Sequence, residues 1–161
     1  MRPDARKISL DTFDVKILLA LQQDAAPPIA ALAERVGLSP SACHRRVKLL
    51  EEAGVIAGYR AVLDPSALGL TLAVFVDVTL ASQGEAALEA FERAVRGHTE
   101  ILECWLVSGE ADYRLRVAAV DMADYERIHR AVLARLPGVA SIRSTFGLGR
   151  VKAWSGYPVP P

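Results

Sequence analysis

His44, Arg45, Arg46 and Lys48 fall within two helical turns, and no acidic residue interrupts them between Leu38 and Leu50. A helix carrying such a cluster can neutralise phosphates and reach base edges in the major groove of double-stranded DNA. On an ordinary helical hairpin the same run would be a solvated basic face, and charge alone favours that plainer reading. Other chemistry finds less support. His44, His98 and His129 are widely separated, and none stands at metal-ligand spacing from a cysteine or another histidine, so neither a metal site nor a catalytic arrangement is expected. Gly147 and Gly149 are too close for a dinucleotide fingerprint and are expected inside a strand, where a bulge or close strand contact explains them. Glu103 and Glu110 can approach across a turn, yet no poised nucleophile or base accompanies them. No enzyme activity and no cofactor are expected.

The elements around the basic cluster change the balance. In Leu32–Ile56, LAERVGLSPSACHRRVKLLEEAGVI, the residues Leu32, Ala33 and Val36 give a helix an apolar stripe, Gly37 permits a tight turn, and Leu38 fills the angle. Ser39 caps the next helix, Pro40 suits its first position, and Gly54 ends it. Advancing about 100° per residue puts Cys43, Val47 and Leu50 on one face and Ser41, Arg45 and Lys48 on the opposite one. Upstream, Asp11 with Asp14 opens a further helix, whose stripe is Leu10, Ile17, Leu18 and Leu21 and which stops before Pro27-Pro28. Three helices with the turn between the second and third form the usual DNA-binding arrangement. Val55–Leu63, rich in β-formers, reads as a strand or wing from which Tyr59 and Arg60 can touch the backbone. The readers expected are Ser39, Ser41, His44, Arg45, Arg46, Lys48 and Tyr59.

A chain of 161 residues with 52% hydrophobic composition can build one core or two small ones. Net charge is zero, so attraction to nucleic acid must be local. Cys43 and Cys104 stand alone in different segments, which suits a reducing cytoplasm and indicates no disulfide framework. The start, MRPDARKISLDTFD, lacks the apolar core of a signal peptide. The longest uncharged run, Pro65–Val76, falls short of the roughly 20 residues that span a bilayer, so no membrane partner is expected.

After the turn chemistry of DPSALG, residues Thr71–Leu80 alternate strictly, with Leu72, Val74, Val76, Val78 and Leu80 on one face and Ala73, Phe75, Asp77 and Thr79 on the other. A helix over Glu85–Arg96, strands over Ile101–Ser108 and Tyr113–Val120, a helix capped by Asp121 and a strand over Val139–Lys152 complete the order βαββαβ. The fold expected is therefore α+β, with an N-terminal winged helix-turn-helix domain (residues 1–63), a linker (64–70), a ferredoxin-like domain (71–152) and an irregular tail (153–161). Helices on one side of the sheet leave Phe75, with Leu106 or Trp105, uncovered, which predicts a homodimer.

The segments LDTFDVKILLALQQD, LAERVGLSPSACHRRVKLLEEAGVIAGYRAVLDPSALG, ECWLVSGEADYRLRV, DMADYERI and LPGV together resemble the leucine- and asparagine-responsive regulators, the Lrp/AsnC or feast/famine family, over roughly Leu10–Lys152. The resemblance implies a transcriptional regulator whose C-terminal, RAM-type domain binds an amino acid or related metabolite, and dimers that assemble further into octameric rings. It also implies an effector pocket where C-terminal domains of different subunits meet, built around Gly109-Glu110-Ala111-Asp112-Tyr113, with Leu106 and Ser108 leading in and Met122, Thr145 and Phe146 facing it. The chemistry suits a free amino acid, with Asp112 for the ammonium, the Gly109 backbone for the carboxylate and Leu106 with Met122 as an apolar wall. Read without the resemblance, Gly109–Asp112 is a hairpin turn in which Asp112 bonds local amides.

Ala26-Pro27-Pro28 stands where the family often opens its second helix with Arg and Ser or Thr, removing a phosphate contact and an N-cap. Leu49 stands at a commonly basic position and is expected to pack on the wing, and Ala111 replaces a frequent aromatic or charged neighbour. The rival readings are a metabolite-binding oligomer whose helical domain no longer regulates, and an enzyme of the ferredoxin-like dimer class. Salt-dependent binding to its own upstream DNA separates the first rival, and turnover of a metabolite the second.

Overall fold

The computed structural model describes residues 9–159. Most of the segment read as lacking a signal core, and Pro160-Pro161 of the tail, lie outside them. The chain divides into two compact units, one running up to Val62 and taking in the chain again from Lys152, the other spanning Leu63–Val151.

In the first unit α1 covers Thr12–Gln23, α2 Ile29–Val36 and α3 Pro40–Glu52. The start of α1 is a capping box: the Asp11 carboxylate accepts from the amides of Phe13 and Asp14, and Asp14 accepts in return from the Asp11 amide at 3.1 Å. At α2 the N-cap is Pro28, with no side-chain cap, as the departure at Ala26-Pro27-Pro28 implies. The α2–α3 turn needs Gly37, whose φ of 76° lies in the left-handed region, and Ser39 Oγ then accepts from the Ala42 amide to cap α3. Ile17, Leu32, Ala33, Val36, Cys43 and Leu50 meet in one buried cluster.

The strand expected over Val55–Leu63 does not form; beyond the α3 cap, where Val55 and Ile56 donate to the Leu50 carbonyl, the backbone runs without ladder partners. Leu49, expected to pack there, is 51% exposed. β-propensity has no effect where no neighbouring strand offers a partner.

The second unit has the order β1 (Leu72–Leu80), α4 (Glu85–Val95), β2 (Ile101–Leu106), β3 (Tyr113–Ala119), α5 (Met122–Ala131) and β4 (Val139–Phe146). The sheet order is β2-β3-β1-β4 and all three pairings are antiparallel, the ferredoxin-like topology. Val74, Val76, Val78, Leu115 and Val117 are buried with Phe91 of α4 and Ile128 of α5. β4 stops at Phe146 rather than Lys152, so Gly147 and Gly149 lie beyond it instead of within a strand. Gly147 still donates to the Ala73 carbonyl at 2.8 Å, and a Cβ there would approach that oxygen to 3.3 Å, a close strand contact.

Candidate nucleic-acid interface and ligand cleft

On α3 the side chains of Ser41, His44, Arg45 and Lys48 are exposed, and among the described residues no ion pair involves Arg45 or Lys48. They form the outward ridge that the helix-turn-helix presents. Three expected readers are otherwise engaged. Arg46 Nη1 donates to Asp11 Oδ2 at 2.7 Å and to Asp14 Oδ1 at 2.8 Å, and its guanidinium lies 5.5 Å from the centroid of the Phe13 ring. With its side chain only 25% exposed, Arg46 fastens α3 to the start of α1 rather than facing outward. Its pairing, first with Asp14 and then with Asp11, keeps the guanidinium charged, and Asp11 is held below the usual carboxylate range by the Asp14 amide and by Arg46. Ser39 Oγ is spent on the cap. Tyr59 donates to Glu51 Oε1 at 2.9 Å, and burial with that contact pushes its phenol up to about 12.

The sheet's open face carries a charged ladder. Asp77 of β1 accepts twice from Arg114 of β3, from Nε at 2.7 Å and from Nη2 at 3.1 Å, and Arg116 reaches Glu103 of β2 at 3.2 Å. Arg143 of β4 makes one longer contact, 3.4 Å, to Glu110 of the β2–β3 loop, with both side chains largely exposed. The Arg114 hydrogen bond holds the Asp77 carboxyl below its ordinary value, against the opposing effect of burial. Between this ladder and the loop opens a cleft of about 820 Å³, which includes Asp77, Arg114, Arg143 and Glu110 in its wall. Beside it, Phe75 is 42% and Trp105 63% exposed.

Of the effector residues expected from sequence, Leu106, Ser108 and Glu110 line this cleft. The others are placed differently. Asp112 Oδ2 accepts from the Leu80 amide at 2.8 Å and Oδ1 from Gln83 Nε2 at 2.7 Å, while its own amide donates to Val78, so its carboxylate ties the loop to the end of β1 and the start of α4. Tyr113 is buried against Phe91, its hydroxyl donating to Glu92 Oε1 at 3.1 Å. Met122 opens α5 with its side chain exposed, and it and Thr145 stand outside the cleft wall. Gly109, at φ 128°, supplies the loop's reversal without lining the cleft. Asp77, Arg114 and Arg143 escaped the sequence reading. A charged side chain at mid-strand on the outward phase of an apolar strand, as at Asp77, was the available signal.

The family comprising the winged helix-turn-helix DNA-binding domain matches residues 10–57, and that of the Lrp/AsnC ligand binding domain matches residues 73–155. The leucine-responsive regulatory protein of Haemophilus influenzae is 43% identical over 147 residues, covering 91% of this chain and 89% of the relative. The chain belongs to the Lrp/AsnC family. An uncharacterized HTH-type transcriptional regulator of Sinorhizobium fredii is 52% identical over 73% of this chain and 97% of its own. Among solved structures, a transcriptional regulator of Neisseria meningitidis in complex with L-methionine superposes with a TM-score of 0.89 at 37% identity, covering 93% of this chain and 97% of that one. This Lrp/AsnC protein is thus a DNA-binding transcriptional regulator with a ligand-binding domain, and not an enzyme. Among its described residues no helix is long and apolar enough to cross a membrane.

Proposed function

We propose that the protein acts in the cytoplasm as a homodimer, in which α3 of each copy reads one half of a roughly palindromic operator and an amino acid bound on the sheet face alters DNA binding. Arg45 and Lys48 contact bases or phosphates, with Ser41 and His44 making shorter hydrogen bonds. The copies join through the open sheet faces around Phe75 and Trp105, and dimers assemble further into rings.

The observation that carries the ligand reading is the contrast between two ion pairs in one cleft. Asp77 is clamped by two bonds from Arg114, whereas Glu110 and Arg143 share one 3.4 Å contact in the open. A loose exposed pair is worth little by itself, so a zwitterion can part it at small cost, offering its carboxylate to the Arg143 fork and its ammonium to Glu110. Leu106 is then available to the ligand's side chain. The solved structures of the Neisseria relative and of a feast or famine regulatory protein from M. tuberculosis, each with L-methionine, support an amino acid as the ligand class.

A thermal-shift screen of the amino acids tests this reading. One that binds the folded state at a hundred times its Kd stabilises by about 2.7 kcal/mol. Both Arg143→Ala and Glu110→Ala should abolish the shift; a shift that survives both places the ligand elsewhere.

A further inference from the structure

Beyond β4 the described residues run back to the helical unit. Residues 154–159 share the wall of an apolar groove of about 490 Å³ with Leu18 and Leu21 of α1 and with Val55, Ile56 and Tyr59 after α3. The seat is specific. Gln22 Nε2 donates to the Tyr157 carbonyl at 3.0 Å and Gln22 Oε1 accepts from the Tyr157 amide, so one side-chain amide pairs with one backbone residue as a neighbouring strand would. Gly156 has φ of 105°, in the left-handed region, and any side chain there would run into the Gln22 carboxamide. Trp154 packs edge-on against Tyr157 with ring centroids 4.7 Å apart, yet both rings stay largely exposed, so the backbone pairing and the apolar floor do the holding.

From this we propose that residues 152–159 are a strap belonging to the DNA-binding unit, gripped in its apolar groove by the same chain. The ligand-binding sheet is then tied to the helix-turn-helix unit at both of its ends, by the linker and by the strap. The strap continues from β4 through five intervening residues, and β4 supplies Ser141, Ile142 and Arg143 to the ligand cleft. The seat is independent of which ligand binds, and its test needs none.

Ala25→Cys and Ser155→Cys put two exposed thiols in the lining of the groove, one from the helical segment and one from the strap, without replacing Gln22 or Gly156. Of the native thiols, Cys43 is buried, and burial pushes Cys104 up to about 11, so both react slowly with maleimides. A short bis-maleimide applied to the full-length protein should give a crosslinked species migrating as a monomer on a denaturing gel. Gly156→Val and, separately, Gln22→Ala should each lower its rate of formation roughly fivefold or more, the scale of losing at least one net hydrogen bond. A crosslinked dimer would assign the groove to a second copy's tail and overturn the proposal. No crosslink, or a rate unmoved by both substitutions, would overturn it as well.

Discussion

Replacing Arg46 by alanine separates two roles that lie side by side on α3. Arg46 donates to two carboxylates at 2.7 and 2.8 Å and covers the Phe13 ring. Each partly exposed pair contributes about 0.2–1 kcal/mol, the ring contact about 0.5–1 kcal/mol, and the packed stem adds to these. Arg46→Ala should therefore destabilise the helical unit by about 1–3 kcal/mol, a fall in Tm of roughly 4–24 °C for a domain of this size. Because Arg46 faces α1, no phosphate contact is lost. Anisotropy titrations against the protein's own upstream duplex and a random duplex, at several salt concentrations, should show a similar affinity loss on both and an unchanged salt slope. Lys48→Ala should do the reverse, leaving stability within about 0.5 kcal/mol of wild type and reducing the slope by about one. An Arg46→Ala protein with unchanged Tm and a shallower slope would refute the assignment.

Arg45→Ala should cost about 1–3 kcal/mol and relax base preference at one operator position, read by selection from a randomised duplex; equal loss on random DNA would make Arg45 a phosphate contact. Asp112→Ala frees the Leu80 amide and Gln83, so it should lower sheet-unit stability by about 1–3 kcal/mol and weaken amino-acid binding while sparing DNA affinity, measured by calorimetry on the full chain. Asp77 is held below its unfolded carboxyl value, so its contribution to stability is complete above about pH 4 and is lost as pH falls through the lower folded value; Asp77→Asn should flatten the acid limb of the Tm–pH curve. Phe75→Lys places a cation opposite Arg116 on the open face and should weaken dimerisation by about 2 kcal/mol or more, roughly thirtyfold, in sedimentation equilibrium.

How far the sequence reveals the structure depends on the range of the forces involved. The Asp11 capping box, the Ser39-Pro40 start and the Gly37 turn are legible because each is settled by neighbours within a few residues. The alternation of Val74, Val76 and Val78 likewise declares which face of β1 is buried. The pairing of Arg46 is not legible, because its partners lie 35 and 32 residues away and meet it only when α1 packs on α3. Asp112 was expected at a ligand ammonium, yet its carboxylate is engaged by Leu80 and Gln83, 32 and 29 residues away, through the sheet pairing. Val55–Leu63 has strand composition without a strand beside it. The cleft's Asp77–Arg114 clamp needed the β1–β3 register, which alternation alone does not supply.

Equilibrium binding of the full-length protein to its own upstream duplex, followed from about 50 to 200 mM salt, tests the regulator reading most directly. Affinity above that for random DNA should fall along a steep log–log line and shift when the amino acid selected by thermal stabilisation is added. Equal affinity for both duplexes, or a curve indifferent to every amino acid that stabilises the fold, would contradict the account.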